Sequence, residues 1–194
     1  MEKAQIAIFA SGNGSNAEEI IRHFKNHPDI QVSLVLSNNP DAYVLKRALN
    51  HGIPFRAFDK ETYRESTQIL NWLSDAGITH IVLAGFLWLV PDYILERYPE
   101  RIINIHPALL PKYGGKGMYG MRVHEAVKAA GDQVTGITIH LVDPNYDEGK
   151  VVFQATCKIG ETDSPAEIAA RVHSLEYQHY PGEIENWIMG SYNG

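Results

Sequence analysis

The sequence predicts an α/β protein with a doubly wound, mostly parallel sheet, an antiparallel strand pair towards the C-terminus and a long C-terminal helix. Up to Ile105, short apolar runs alternate with segments whose apolar residues recur at helical spacing. This is the pattern of parallel strands joined by helices. After Asp132, two β-rich runs are separated by a polar turn, which is typical of an antiparallel pair.

The first predicted elements are a strand, a helix, a strand and a helix. An apolar run predicts a strand at 5–10, and apolar residues at helical spacing predict a helix at 17–24. A second apolar run predicts a strand at 32–36. The helix predicted at 43–50 ends before Gly52, because glycine commonly follows the last helical turn.

The middle of the chain continues this alternation. A helix is predicted at 61–76, where Gly77 stops it, and a buried strand at 80–84. A short helix is predicted at 91–98 because proline is favoured in the first turn of a helix. The apolar run at 102–105 predicts the next strand.

The C-terminal part has a different pattern. The runs at 134–142 and 150–159 predict the two antiparallel strands. Ser164, with Glu167 three residues later, has the sequence of a capping box and predicts the start of the long helix. No repeat or linker interrupts the sequence, so residues 1–194 are expected to form a single domain.

Composition narrows the class of protein. The chain of 194 residues is 44% hydrophobic, which is enough for a sizeable core. A net charge of -6 argues against nucleic acid as a partner, since such binders are usually basic. The single cysteine, Cys157, fits a reducing compartment, and no apolar run approaches the roughly 20 residues that cross a bilayer. We expect a cytoplasmic protein, monomer or homodimer, that binds small molecules and neither nucleic acid nor membrane.

A glycine-rich turn at 11–16, Ser-Gly-Asn-Gly-Ser-Asn, joins the first predicted strand to the first predicted helix. Backbone N–H groups at a helix N-terminus bind anions, and nearby glycines allow the anion to approach closely. Ser15 and Asn16 add hydroxyl and amide donors. The turn lacks the lysine of a nucleoside-triphosphate loop and the spacing of a dinucleotide loop. A phosphate monoester is therefore favoured, and a plain strand-to-helix turn is an equally good interpretation.

Asn104 and His106 stand two residues apart at the end of a predicted strand, directly before Pro107. Side chains alternate along a strand, so both are expected on one face. An imidazole can take or deliver a proton near neutral pH, and a carboxamide can donate to an oxyanion. Asp147, in the later polar turn, could fix the tautomer of the imidazole. The three residues indicate acyl chemistry; a capping Asn, a structural His and a turn Asp are the alternatives.

Three further features are ambiguous from the sequence. The segment 84–91 follows a buried strand and could form the wall of a pocket for a flat ring, or could simply pack in the core. The glycine-rich segment 113–121 is expected to be a mobile covering loop or a plain surface loop. His140 is interpreted as structural rather than functional, although its alternation could place it on the sheet face of Asn104. Since no histidines or cysteines have metal-ligand spacing, no metal is expected.

Four segments together resemble phosphoribosylglycinamide formyltransferases, a family of folate-dependent formyltransferases. They read Ala-Ser-Gly-Asn-Gly-Ser-Asn at 10–16, Leu-Ala-Gly-Phe at 83–86, Asn-Ile-His-Pro-Ala-Leu-Leu-Pro at 104–111 and Gly-Ile-Thr-Ile-His-Leu-Val-Asp-Pro-Asn-Tyr-Asp-Glu-Gly at 136–149. The resemblance extends from residue 5 to about residue 190. It implies a Rossmann-like formyltransferase fold. It also implies formyl transfer from the co-substrate 10-formyltetrahydrofolate to the amine of 5-phosphoribosylglycinamide in de novo purine biosynthesis.

The resemblance also implies which residues act. Asn104, His106 and Asp147 match the catalytic trio. The substrate phosphate and ribose correspond to Gly14, Ser15, Asn16 and Glu176, and the folate to Leu87, Trp88, Leu89, Val90 and Asn104. The sequence departs from the family at Trp88, where some members carry an arginine suited to the folate's glutamate tail, and at His173, where others carry glutamine. The loop at 113–121 is longer than in compact members.

Three alternatives remain beside this interpretation. A formyltetrahydrofolate hydrolase would use the same trio with water as acceptor, and usually carries an extra N-terminal domain. A methionyl-tRNA formyltransferase would need an added basic domain for tRNA, whereas this chain is acidic. A non-catalytic phosphate- or folate-binding module would be free to lose Asn104, His106 or Asp147, and all three are present.

Overall fold

The computed structural model of this chain describes residues 3–190, apart from the side chain of Ser66. The chain divides into two compact units, Met1–Ile103 and Asn104–Gly194. We call these the first and the second unit.

The first unit alternates strands with helices. Its strands are β1 (Ala4–Phe9), β2 (Ile30–Ser37), β3 (Phe55–Ala57), β4 (His80–Leu83) and the start of β5 (Ile102–His106); its helices are α1 (Ser15–Phe24), α2 (Tyr43–Asn50), α3 (Lys60–Arg64), α4 (Ser66–Asp75) and α5 (Asp92–Arg97). The strand order is β3-β2-β1-β4, and the β1–β2, β1–β4 and β2–β3 pairs are parallel. The predicted parallel α/β organisation of this part is confirmed.

The centre of the first unit is apolar because its inner strand has no solvent-facing side. In β1, Ile6, Ala7 and Ile8 are fully buried. Parallel strands covered by helices on both faces read as continuous apolar runs rather than alternating ones. This explains why the strand was recognisable from the sequence without a period of two.

The elements predicted for the first unit differ from the observed ones in two places. The single helix predicted at 61–76 is two helices, α3 and α4, because Glu65 between them adopts an extended conformation. Asp59 caps α3 by accepting from the Thr62 N–H at 2.8 Å. The strand β3 was missed since three residues are too few to show a period.

The second unit contains the end of β5, then α6 (Met121–Ala129), β6 (Val134–Leu141), β7 (Val151–Lys158) and α7 (Pro165–Ile188). The strands β6 and β7 are antiparallel, as predicted. Gly136 in β6 is required because an added Cβ would overlap the Ala155 carbonyl of β7. The capping box of Ser164 and Glu167 starts α7, so the predicted long C-terminal helix is also confirmed.

The helix α6 was not predicted, because glycines immediately before it made that part of the chain read as a loop. Its apolar residues Val123 and Val127 pack with Ala108 in a small buried cluster. Within the described part of the chain, no helix has both the length and the apolar character that a membrane crossing requires.

Candidate active site

Asn104 and His106 lie at the end of β5 and both contact residues of the following strand and turn. The Asn104 Nδ2 is 3.1 Å from His140 Nε2 on β6. The His106 Nδ1 is 3.5 Å from the Asp147 Oδ2. His140 Nε2 is also 3.6 Å from the Asp147 Oδ1. The structure therefore brings the three predicted residues together and adds His140 to them.

The tautomer of His106 follows from its hydrogen bonds. Its Nε2 is 2.7 Å from the Tyr113 carbonyl oxygen. A carbonyl can only accept, so Nε2 carries the hydrogen and Nδ1 holds the lone pair of the neutral ring. The ring is 4% exposed. Burial lowers the pKa of His106 below its ordinary value, although the charge of Asp147 and the Tyr113 carbonyl act in the opposite direction.

Asp147 remains charged beside this neutral ring. Its Oδ2 accepts from the Gly115 N–H at 2.9 Å. Burial alone would raise its pKa, but His140 and His106, which oppose protonation of Asp147 when they are themselves protonated, and the Gly115 N–H hold that pKa below its ordinary value. Asp147 also has a φ of 58°. A residue with a Cβ is strained there, and such strain is found where the surroundings must aim a side chain.

His140 is held in the opposite tautomer. Its Nδ1 donates to the Leu141 carbonyl at 2.9 Å, so its Nε2 accepts from the Asn104 amide when the ring is neutral. One hydrogen of the Asn104 Nδ2 is thereby used and the other stays directed away from His140. From the sequence, His140 was interpreted as structural; its alternation on β6 was the signal that could have placed it beside Asn104.

The glycine-rich segment 113–121 begins by supporting these residues. Tyr113 supplies the carbonyl that holds His106, at a φ of 57°, and its hydroxyl donates to Asp132 at 2.8 Å. A Cβ added to Gly114 would lie 2.6 Å from Leu110 and 3.3 Å from the Asp147 Cβ. The first residues of this segment are therefore packed against the trio rather than standing clear of it.

His124, at the start of α6, is a buried histidine of the second unit whose Nδ1 has no hydrogen-bond partner among the described residues. Its ring meets that of His173 edge-on, with centroids 6.3 Å apart. Burial, with smaller effects from His173 and His106, lowers the pKa of His124 to about 4. The ring is 1% exposed, so the folded protein disfavours its charged, protonated form.

His124 should make the stability of the protein depend on pH. An unfolded histidine takes up its proton near pH 6.5, so the unfolded state binds more protons between that pH and about pH 4. Stability is therefore lost as the pH falls through this window. When the pH is lowered from 7 to 5, the decrease in the free energy of unfolding should be roughly 2 kcal/mol smaller for His124→Phe than for the unaltered protein. Urea unfolding at both pH values measures this; equal losses would contradict it.

In the first unit, two hydrogen bonds join the glycine-rich turn to the segment that follows β4. The Ser11 N–H donates to the Gly85 carbonyl and its Oγ accepts from the Leu87 N–H, each at 3.0 Å. Gly14 precedes α1 with a φ of 74°, and no side chain caps the helix. A glycine turn thus opens α1 as predicted, with Ser15 and Asn16 in the first turn of the helix. Anion binding at this turn stays a prediction.

The segment after β4 presents both exposed and buried apolar side chains. Leu87 and Leu89 are 44% and 38% exposed, whereas Val90 is 3% exposed. The Trp88 ring contacts an aromatic cluster, with centroids 6.0, 5.4 and 6.5 Å from those of Phe58, Tyr63 and Phe86. A flat apolar ligand would therefore contact Leu87 and Leu89 first, because the Trp88 indole packs against the aromatic cluster.

Two other residues implied by the resemblance lie on α7 in the second unit. Glu176 is 6% exposed. Burial raises the pKa of Tyr180 well above its ordinary value, and the charge of Glu176 raises it further. His173 stacks on Tyr177 with centroids 6.2 Å apart. Among the residues that the structure describes, no three His, Cys, Asp or Glu side chains are grouped as a metal site would require.

Known proteins resemble this chain over nearly its whole length. The formyl transferase family profile matches residues 4–184. Phosphoribosylglycinamide formyltransferase of Bacillus subtilis is 37% identical over 189 residues, which are 95% of this chain and 94% of that protein. The chloroplastic phosphoribosylglycinamide formyltransferase of Arabidopsis thaliana is 36% identical over 92% of this chain. The chain spans 63% of that plant protein's length.

Solved structures show the same fold. Glycinamide ribonucleotide transformylase 1 from Symbiobacterium toebii has a TM-score of 0.88 at 29% identity, covering 97% of this chain and 89% of that one. Phosphoribosylglycinamide formyltransferase from Bacillus halodurans has a TM-score of 0.87 at 34% identity, covering 97% of each chain.

Proposed function

This chain belongs to the formyl transferase family, and from that premise we propose that it is a phosphoribosylglycinamide formyltransferase. It would transfer a formyl group from 10-formyltetrahydrofolate to the amine of 5-phosphoribosylglycinamide in de novo purine biosynthesis. The observation that carries the proposal is the joined set of Asn104, His106 and Asp147, with a neutral, buried imidazole beside a charged carboxylate. Relatives that bear this name and match nearly the whole chain support it.

In the proposed reaction, the acceptor amine attacks the formyl carbon and a tetrahedral intermediate forms. The amine must then lose a proton. The lone pair of His106 is on Nδ1, so this atom takes the proton, directly or through a water molecule. The resulting imidazolium would have both N–H groups engaged, one by the Tyr113 carbonyl and one by Asp147. When the carbon–nitrogen bond to the folate breaks, the proton can pass to that nitrogen.

The formyl oxygen becomes negative as the amine attacks, and it needs a donor that is already in position. Asn104 Nδ2 has two hydrogens, and His140 accepts one of them. The second would donate to the oxyanion. His140 then contributes by preventing rotation of the amide, which would otherwise present its oxygen to the negative charge.

The glycine-rich turn would hold the substrate phosphate through Gly14, Ser15 and Asn16, and Glu176 would accept bonds from ribose hydroxyls. The exposed Leu87 and Leu89 support an apolar surface for the folate. Trp88 cannot pair with a carboxylate, and Val90 would act from within the core.

Gly14→Ala should weaken binding of the phosphorylated acceptor without changing the chemical step. At a φ of 74° an alanine is strained, and its Cβ would overlap Val44. The turn must therefore shift, and we expect KM for phosphoribosylglycinamide to rise at least roughly tenfold, since displaced N–H donors to a charged group cost about 1.5–3 kcal/mol. Gly12→Ala is the matched control, because nothing lies within 4 Å of its Cβ. Equal KM values for the two variants would contradict the prediction.

The proposed function is tested by the absorbance change on 10-formyltetrahydrofolate consumption, with and without phosphoribosylglycinamide. Consumption that requires the acceptor supports the transferase. Consumption without it would indicate a formyltetrahydrofolate hydrolase, which could use the same trio with water. No consumption in either case would indicate a non-catalytic binding module.

Three broader expectations accompany this proposal. We propose that residues 1–194 serve one function as a single domain, because one family profile matches residues 4–184. Small-molecule substrates are proposed as the partners, with a monomer or homodimer as the assembly and no metal in the reaction. The cytoplasmic location stays a prediction; the Arabidopsis thaliana relative is named as chloroplastic.

A further inference from the structure

Arg47, a charged residue outside the glycine-rich turn, donates two hydrogen bonds to Asn13 within it. Arg47 on α2 donates from Nε to the Asn13 carbonyl and from Nη2 to the Asn13 Oδ1, each at 2.8 Å. The planar guanidinium thus fixes both the backbone and the side chain of Asn13. A lysine has a single ammonium group on a flexible stem and cannot reproduce this two-point contact.

The guanidinium is itself held in place. Its Nη1 is 3.4 Å from the Glu18 Oε2, and its Cζ lies over the Tyr43 ring, 4.9 Å from the centroid. Glu18 Oε1 is 2.9 Å from His51 Nε2. Burial would raise the pKa of Glu18, but the contacts with His51 and Arg47 keep that pKa below its ordinary value. Glu18 therefore stays charged and orients Arg47.

Val44 of α2 contacts the residues on either side of Asn13. The Val44 N–H donates to the Gly12 carbonyl at 3.1 Å. The Val44 side chain packs so closely on Gly14 that no Cβ fits there. Together with Arg47, α2 therefore sets the path of the turn at the three residues that lead into α1.

We propose that Arg47 is a positioning residue for the phosphate site, which aligns the N–H groups at the start of α1 by clamping Asn13. This inference rests on the proposed function. Arg47 is not assigned a contact with phosphate, because its Nε, Nη1 and Nη2 atoms are all bonded within the protein. Its effect passes through Asn13 to the donors of the turn, so it should alter affinity for the phosphate group and leave formyl transfer unchanged.

The test compares Arg47→Met and Arg47→Lys with Lys46→Met. Lys46 is the adjacent, exposed cation on α2, so the control removes the same charge. We expect Arg47→Met to raise KM for phosphoribosylglycinamide roughly 10- to 100-fold, as loss of charge-assisted hydrogen bonds does. The inhibition constant of inorganic phosphate should rise by the same factor. The kcat at saturation, the KM for 10-formyltetrahydrofolate and kcat/KM for the dephosphorylated acceptor should not change.

Arg47→Lys separates the clamp from charge alone. If it behaves like Arg47→Met, the two-point contact is what matters; if it keeps the affinity of the unaltered protein, the proposal is overturned. Asn13→Ala supplies a second test of the clamp. Combined with Arg47→Met, it should not lower the affinity for the phosphate group below that of Arg47→Met alone. Independent, multiplying effects would also overturn the proposal. Asn13→Ala remains informative if Arg47→Met fails to fold, since it should itself raise the phosphate inhibition constant.

Failure of this inference is distinguishable from failure of the proposed function. If the unaltered protein shows no acceptor-dependent consumption of 10-formyltetrahydrofolate, the proposed function is wrong. If it does, and Arg47→Met matches Lys46→Met in every constant, only the assignment of Arg47 is wrong.

Discussion

His106→Ala is expected to lower kcat by roughly three orders of magnitude, within the range that a positioned general acid or base contributes. The variant loses the Nδ1 atom that we propose takes the proton from the attacking amine. It should keep its KM for phosphoribosylglycinamide, because the glycine-rich turn is unaltered. Steady-state kinetics with varied acceptor measure both constants.

His23→Ala is the matched control for this variant, since His23 is an exposed histidine of α1. It should have the kinetics of the unaltered protein. Near-normal turnover in folded His106→Ala would show that another group handles the proton. A rise in KM with kcat unchanged would instead place His106 in substrate binding.

The pH dependence of kcat/KM should report the same group. The pKa of His106 lies below its ordinary value because the ring is buried. The neutral ring required for proton uptake is therefore already present at neutral pH. Activity should fall only when the pH drops through that lowered pKa, so the acidic limb of the profile should lie below pH 6.5.

Asp147→Asn is expected to have the second large effect, a fall in kcat of roughly 10²- to 10⁴-fold. Asparagine has nearly the same shape but no charge, so the imidazolium formed during the reaction loses its counter-charge. In the unaltered protein the charge of Asp147 raises the pKa of His106 against the larger effect of burial. Its removal should therefore move the acidic limb of the kcat/KM profile to still lower pH.

Asp143→Asn is the control, because Asp143 lies in the same turn and its Oδ1 accepts from the Asn145 N–H at 2.9 Å. That variant should keep both kcat and the acidic limb. An Asp147→Asn profile with an unmoved acidic limb would mean that His106 is not the group observed. An unchanged kcat would remove Asp147 from the proposed mechanism.

Much of the fold was predictable because local signals agreed with the tertiary structure. The fully buried Ile6, Ala7 and Ile8 of β1 read as a continuous apolar run, and Ser164 with Glu167 forms the capping box that the sequence indicated. The failures have local causes. The extended conformation of Glu65 divides a segment whose sequence pattern is helical throughout. The helix α6 follows several glycines and buries only two apolar side chains, Val123 and Val127, so its sequence pattern is weak.

The candidate site was also predictable only in part. The alternation of β5 was enough to place Asn104 and His106 on one face, and the glycine turn was recognisable before α1. The roles of His140 and Tyr113 were not, because a strand histidine and a loop tyrosine carry no local mark of what they touch. Tyr113 acts through its backbone carbonyl, which a side-chain pattern cannot reveal.

By itself the sequence determined the order of most elements, though not β3, α6 or the break between α3 and α4, and it determined the chemical groups available for the reaction. Hydrophobic spacing, glycines and caps act over a few residues, so they can be read from a single chain. Only the tertiary structure decided which tautomers the histidines adopt and that Asp147 remains charged beside a neutral His106. Those properties depend on burial and on partners distant in the chain, such as the Gly115 N–H that reaches Asp147.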